Sequence, residues 1–184
     1  MEIISKLLDS LPQDPVPVRN VVIGIQWTLV SSAYCGLSST SYKQGPHGVI
    51  TPRDVGDLTT KSAQELAHWA ISDNPIEVSV GIAAINSLID ISQLTIKYFN
   101  AAEVILKNCK DRNLAIVGDY PFSDSLKGIA RNFWSIEEPS IDSLVPDSSA
   151  CEHISHADVV VITSSTFLNH TTEKFLAFCR PDAL

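Results

Sequence analysis

The feature that most constrains this chain is a set of short apolar runs in its second half, each bounded by turn residues and set apart by stretches of helical spacing. Residues 113–118 read NLAIVG and residues 157–163 read ADVVVIT, and between them residues 133–137 (FWSIE) are expected to form a further strand. The NLAIVG and ADVVVIT runs, short and almost wholly apolar, have the look of strands buried on both faces, which is the pattern of a parallel sheet. Helices are expected over residues 98–109, 124–133 and 171–179, with a short helical turn at 151–156. Strands that alternate with helices predict a parallel sheet joined by right-handed crossovers.

The first half follows another plan. Ile3, Ile4, Leu7, Leu8 and Leu11 fall on one helical stripe, which Pro12, Pro15 and Pro17 terminate. Residues 18–30 (VRNVVIGIQWTLV) read as one strand, and residues 34–42 (YCGLSSTSY) as a second extended piece. A Gly/Pro-punctuated connection over residues 45–56 leads to a helix over 62–72, with Thr59 or Thr60 as its cap. Asn74-Pro75 then opens a helix from Ile76 to about Ile91, since proline fits the first helical turn. Strand, strand, helix, helix is an α+β order, and it changes after Thr95. Two domains are therefore expected, an α+β domain over residues 1–95 and an α/β domain over 96–184.

After residue 179 the chain reads Arg-Pro-Asp-Ala-Leu, where a further βα repeat would supply another strand. A three-stranded parallel sheet exposes pairing edges. The expectation is an incomplete Rossmann-like domain whose edge is covered by another copy of the chain or by the N-terminal helix.

Composition bounds the function. With a net charge of −8 and only 13 scattered Lys and Arg, the chain lacks the basic surface that a nucleic-acid backbone requires. Ser5 and Lys6 interrupt the first apolar stretch, so no signal peptide is expected, and no apolar run reaches the length of a membrane span. Cys35, Cys109, Cys151 and Cys179 form no C-x-x-C pair. A cytoplasmic protein with reduced thiols, binding neither nucleic acid nor membrane, is the expectation.

Candidate site residues follow from the strand ends, where open α/β sheets bind ligands. Gly118, Asp119, Tyr120 and Pro121 close the first parallel strand. The glycine admits a ligand close to the backbone, and Asp119 can accept hydrogen bonds or coordinate a cation. An ordinary loop with Asp119 or Ser123 capping the next helix is the alternative. Thr163, Ser164, Ser165 and Thr166, with Asn169, follow the third strand, and such a hydroxyl-rich loop can hold a phosphate or carboxylate or simply cap a helix. Glu137 ends the second strand where an acidic residue would meet a ribose hydroxyl, but the G-x-G-x-x-G fingerprint is absent.

Cys151, His153 and His156 make C-x-H-x-x-H, of which only the histidines share a helix face, so a surface turn is favoured over a metal site. Gly81, Ala83, Ala84 and Asn86 allow close helix packing. No G-x-S-x-G elbow focuses a Ser/His/Asp reading on any serine.

Taken in order, IGIQWTLV, CGLSST, GIAAINSL, AIVGDYPF and ADVVVITSSTFLNHT resemble the putative heavy-metal chelation family, over about residues 18–179. The resemblance implies an enolase-N-terminal-like domain joined to a Rossmann-like domain, with the site in the cleft between them. It also implies a further strand beyond the last residues here. The residues that match are Thr28, Cys35, Ser38, Ser39, Thr40, Gly81, Asn86, the Gly118 to Pro121 loop and the Thr163 to Asn169 loop. Where the family pattern has a glycine after the strand-end threonine, this chain has Ser164, which narrows the approach of a ligand.

Two functions fit. One is a protein that binds a metal ion or a metal-bearing small molecule, with Asp119 as the metal ligand and Glu137, Thr163, Ser165, Asn169 and Cys35 as further contacts. Oxygen donors dominate that set and suit a hard cation better than a soft one. The other is an enzyme acting on a nucleotide-like or pterin-like molecule, with Asp119 or Glu137 as general base.

Overall fold

The computed structural model describes residues 2–42, 44–45, 48–92, 94–95, 98, 100–137 and 148–184. It divides into two compact units, Met1–Leu94 and Thr95–Leu184. Pro46 and His47 of the expected connection, and Phe99 of the expected helix at 98–109, lie outside the described residues.

The first unit opens with helix α1 (Glu2–Asp9), which buries Ile4. Strands β1 (Asn20–Ile23) and β2 (Trp27–Ser31) then pair antiparallel, Val22 opposite Leu29. The single strand expected over residues 18–30 is thus a hairpin. Gly24 breaks the run, and its N–H donates to the Trp27 carbonyl at 2.9 Å, which closes the turn. Strand β3 (Cys35–Ser39) adds to β2 with Leu37 opposite Leu29. A minimal antiparallel pair follows, β4 (Gln44–Gly45) with β5 (Gly48–Val49).

Helix α2 (Ala63–Ala67) begins at Ser62, not at Thr59 or Thr60, which lie in a preceding 3₁₀ turn. Ser62 and Glu65 form a reciprocal capping box that satisfies two otherwise orphaned N–H groups, and a lone threonine offers only half of that. The helix continues as a 3₁₀ turn through Ile71.

Helix α3 (Pro75–Leu88), capped by Asn74, is apolar nearly all round because it is buried on most sides. Its Gly81 meets the backbone at Ala70, where an added Cβ would sit 2.0 Å from the Ala70 nitrogen. On another side Gly36 of β3 lies against it, and a Cβ there would come within 2.0 Å of the Ala83 oxygen. Glu77 is buried in the first turn of α3. It accepts from Ser72 Oγ at 2.6 Å and the Arg53 N–H at 2.9 Å, with Arg53 Nη2 at 3.2 Å. A buried carboxylate needs that full set of partners.

The second unit is a parallel sheet between helices. Helix α4 (Ala101–Cys109), capped by Asn100, precedes β6 (Asn113–Val117). Next come α5 (Ser123–Leu126), β7 (Asn132–Ile136), α6 (Ser148–His156), β8 (Val159–Ile162) and α7 (Thr172–Leu176). Strand order is β7-β6-β8, all parallel. Helix α5 spans one turn where residues 124–133 were expected to be helical. The chain turns at 127–130 to return to the sheet, and Gly128 there favours a turn over a continuing helix.

Period-2 alternation along β6 divides the core. Leu114 and Ile116 pack with Ile105, Cys109 and Leu126 on one face, while Ala115 and Val117 pack with Ile154, Ala157 and Phe175 on the other. The sheet therefore winds one way from β6 to β7 and the other way from β7 to β8, and the reversal falls at β6. At the opposite ends of the strands the Asp158 carboxylate accepts from the Asn113 N–H at 2.8 Å and pairs with Arg180 at 3.0 Å.

The outer edge of β8 is partly occupied by the chain itself. Leu184 donates to the Asp158 carbonyl at 3.0 Å and accepts from the Val160 N–H at 2.9 Å, the bonding pattern of a parallel neighbour. No helix among the described residues is long and apolar enough to cross a membrane.

Candidate functional site

The carboxyl edge of the parallel sheet collects three of the candidate segments, because β6, β7 and β8 are neighbours that end on the same side. The Gly118 N–H bonds the Ile136 carbonyl of β7 at 2.9 Å, and the Thr163 N–H bonds the Val117 carbonyl of β6 at 3.1 Å. The Gly118, Glu137 and Thr163 positions thus stand side by side. Gly118 has φ of +102°, a conformation that side chains resist, so glycine is required where β6 turns.

A cavity of about 420 Å³ opens here, lined by Gly118, Asp119, Ser135, Ile136 and Glu137. Ile136 forms its buried floor, while Asp119 and Glu137 are exposed at its rim. Tyr120 turns away toward the core and packs on Phe122, ring centroids 5.3 Å apart. Pro121 is exposed.

The hydroxyl-rich loop on the other side of β6 is largely occupied with itself. Thr163 Oγ1 and Ser165 Oγ lie 2.8 Å apart, and Thr166 donates to the Thr163 carbonyl at 2.7 Å. Buried Thr166 also meets Thr172 Oγ1 at 2.8 Å, and Asn169 Oδ1 accepts from the Thr171 N–H at 3.2 Å. A 3₁₀ turn (Ser164–Phe167) uses the remaining backbone, capped by Thr163. Side chains engaged this way hold the loop's shape, and exposed Ser164 is the hydroxyl that faces outward. The winding reversal at β6 points to this loop as the crevice, whereas the open volume lies on the β7 side. Open volume lined by ligating groups is the more direct guide.

The candidates of the first unit sit within its sheet and helix packing. Thr28 is fully buried and pairs with Thr40 Oγ1 at 2.9 Å. Asn86 Nδ2 donates to the Leu37 carbonyl at 2.8 Å, tying α3 to β3. Ser38 is buried and donates to the Ser39 carbonyl at 3.2 Å. Cys35 is exposed, its Sγ 3.8 Å from Ser31 Oγ. A second cavity, about 240 Å³, lies between α1 and α2 beside Gln64 and His68. The Gln64 amide there is spent on the backbone of Pro12, Asp14 and Val16.

Cys151, His153 and His156 lie on α6, and the histidines are engaged elsewhere. His153 stacks on Trp134 at 5.1 Å, and His156 Nδ1 lies 2.8 Å from the Glu152 carbonyl. Among the described residues no group of three or more His, Cys, Asp or Glu is placed to hold a metal ion. Burial pushes the Cys109 and Cys179 thiols up, away from the thiolate form that binds soft metals.

An antiparallel sheet backed by helices in one unit, and a parallel three-stranded sheet between helices in the other, make this a mixed α/β protein. The chain belongs to the family described as "Putative heavy-metal chelation": the DUF4213 model matches residues 4–89 and the DUF364 model residues 100–184. No protein of curated function matches it. Among solved structures, it is similar to a DUF364-family protein of unknown function from Desulfitobacterium hafniense DCB-2. That likeness has TM-score 0.79 and 22% identity, covering 98% of this chain and 74% of that one. A DUF364-family protein of unknown function from Pyrococcus horikoshii is similar at TM-score 0.68 and 21% identity, with the same coverage. At these identities the likeness is one of fold.

Proposed function

We propose that this protein binds a small molecule that carries or chelates a metal, at the carboxyl edge of its parallel sheet, with Asp119 and Glu137 as the recognising groups. The observation that carries this reading is the cavity of about 420 Å³ at the ends of β6 and β7, with one carboxylate from each strand end on its rim. Both family descriptions refer to heavy-metal chelation, which supports a metal as part of the cargo.

Two carboxylates fall short of the four or more donors that a closed protein site gives a transition metal. The donor chemistry of this edge thus fits a bare ion poorly, since no third side-chain ligand joins them among the described residues. The missing donors come from the small molecule, and the carboxylates recognise its positive charge or its N–H groups. This also resolves the mismatch between hard oxygen donors and a soft heavy metal, because the softer donors belong to the ligand.

The test is a thermal-shift screen of the purified chain with bare Zn²⁺ and Ni²⁺, with their cationic bipyridine complexes and with nucleotides. The complexes raise Tm and the bare ions do so less. A shift with nucleotides alone would favour an enzyme of nucleotide-like substrates at the same edge.

A further inference from the structure

The β1-β2-β3 sheet has one face covered by α3 and one that, among the described residues, is exposed or half-exposed. Cross-strand partners share a face, so Val30 and Gly36, buried against α3, define the inner side. Val22, Leu29 and Leu37 are partners of one another and form a continuous apolar row on the outer side, with Trp27 next along β2. Val22 is 48%, Leu37 52% and Trp27 58% exposed. The whole sheet is also free of charge: the 23 residues from position 20 to position 42 contain no Asp, Glu, Lys or Arg, in a chain of net charge −8 where 18% of residues are charged. Arg19 reaches Ser31 Oγ at 3.2 Å and marks the rim.

We propose that this outer face is where two copies of the chain associate, sheet against sheet about a two-fold axis. A contiguous exposed apolar row rimmed by polar groups marks an interaction surface. Its chemistry selects the partner. A flat face with no charge offers nothing to a charged ligand or peptide, and an identical face on a second copy matches it in both shape and neutrality. Copies of so acidic a chain repel one another over most of their surface, and this sheet is where they approach without like-charge contact. Asn20, Ser31, Ser39 and Cys35 flank the row and leave uncharged polar groups at its ends to desolvate. A three-stranded face of short strands is smaller than the roughly 800 Å² per partner of a standard stable interface, so the dimer is weak and concentration-dependent.

Sedimentation velocity of the whole chain over a concentration series tests this. The sedimentation coefficient rises from the monomer to the dimer value. Leu37→Glu, which sets two carboxylates against each other across the axis, weakens association at least tenfold while far-UV circular dichroism stays unchanged. Val55→Glu, a substitution at another exposed apolar residue, leaves association as it was. Should Leu37→Glu fail to fold, Trp27→Lys gives the same readout at the end of the row. The proposal is overturned by a chain that stays monomeric at the highest concentration reached, or by a dimer that neither variant weakens. A monomer with Val22 and Leu37 protected from hydroxyl-radical labelling overturns it too, because the face is then covered within one chain.

Discussion

Asp119 and Glu137 are exposed at the cavity rim, so their replacement separates binding from stability. Asp119→Asn is expected to weaken binding of a cationic metal complex at least tenfold, about 1.4 kcal/mol, measured by isothermal titration. The unfolding free energy of that variant, from urea denaturation, should change by less than about 1 kcal/mol, as for other substitutions outside the core. Gly36 is the opposite case. A methyl group there would come within 2.3 Å of the Ser87 nitrogen as well as against the Ala83 oxygen, and helix backbone cannot yield as a side chain can. Gly36→Ala should therefore destabilise the first unit by about 2–3 kcal/mol, read from the same denaturation curve. The sequence reads CGLSST as an extended piece, with nothing local to show that α3 packs on its glycine. That packing depends on a pairing across some fifty positions of chain, which local pattern does not encode.

Among the elements, α2 shows how a cap outranks propensity. Ser62→Ala removes one side of the capping box and is expected to cost about 1 kcal/mol, whereas Thr60→Ala should change the thermal midpoint little. The clamp joining the starts of β6 and β8 predicts a pH dependence. The Asn113 N–H foremost, then the Arg180 charge, hold the Asp158 carboxyl below the usual carboxylate range. A depressed folded pKa gives stability that is present above the unfolded carboxylate pKa of about 3.9 and lost as pH falls through the folded value. Urea midpoints followed from pH 6 downward should fall, and Asp158→Asn should flatten that part of the profile. Strand β6 was legible because burial on both faces leaves a continuous apolar run, and β8 because Val159 to Ile162 are all apolar. The hairpin of β1 and β2 was not, since the turn between them keeps the apolar, β-branched Ile25 and is marked only by Gly24 and Gln26. Helix α5 was overread because its apolar spacing continues through Phe133, which belongs to β7.

For the whole molecule, the switch from antiparallel pairing to parallel crossovers was legible in residue pattern, and mixed α/β is the class that results. The central place of β6, which sets the ends of β7 and β8 on either side of Gly118, comes from the structure, because two crossovers are compatible with more than one strand order. The self-bonded hydroxyl loop was not legible, since hydroxyls that hold a loop and hydroxyls that hold a ligand look alike in sequence. The proposed function rests on recognition of a metal-bearing small molecule by the Asp119 and Glu137 edge. The most direct measurement is the thermal shift given by a cationic nickel–bipyridine complex on the natural chain and on the Asp119→Asn, Glu137→Gln double variant. Ligand that binds only the folded state at a hundredfold excess over Kd adds about 2.7 kcal/mol, which moves a small protein's Tm by several degrees. That shift is expected in the natural chain, and its loss in a double variant whose own Tm is unchanged. An equal shift in both proteins, or none in either, contradicts the proposed function.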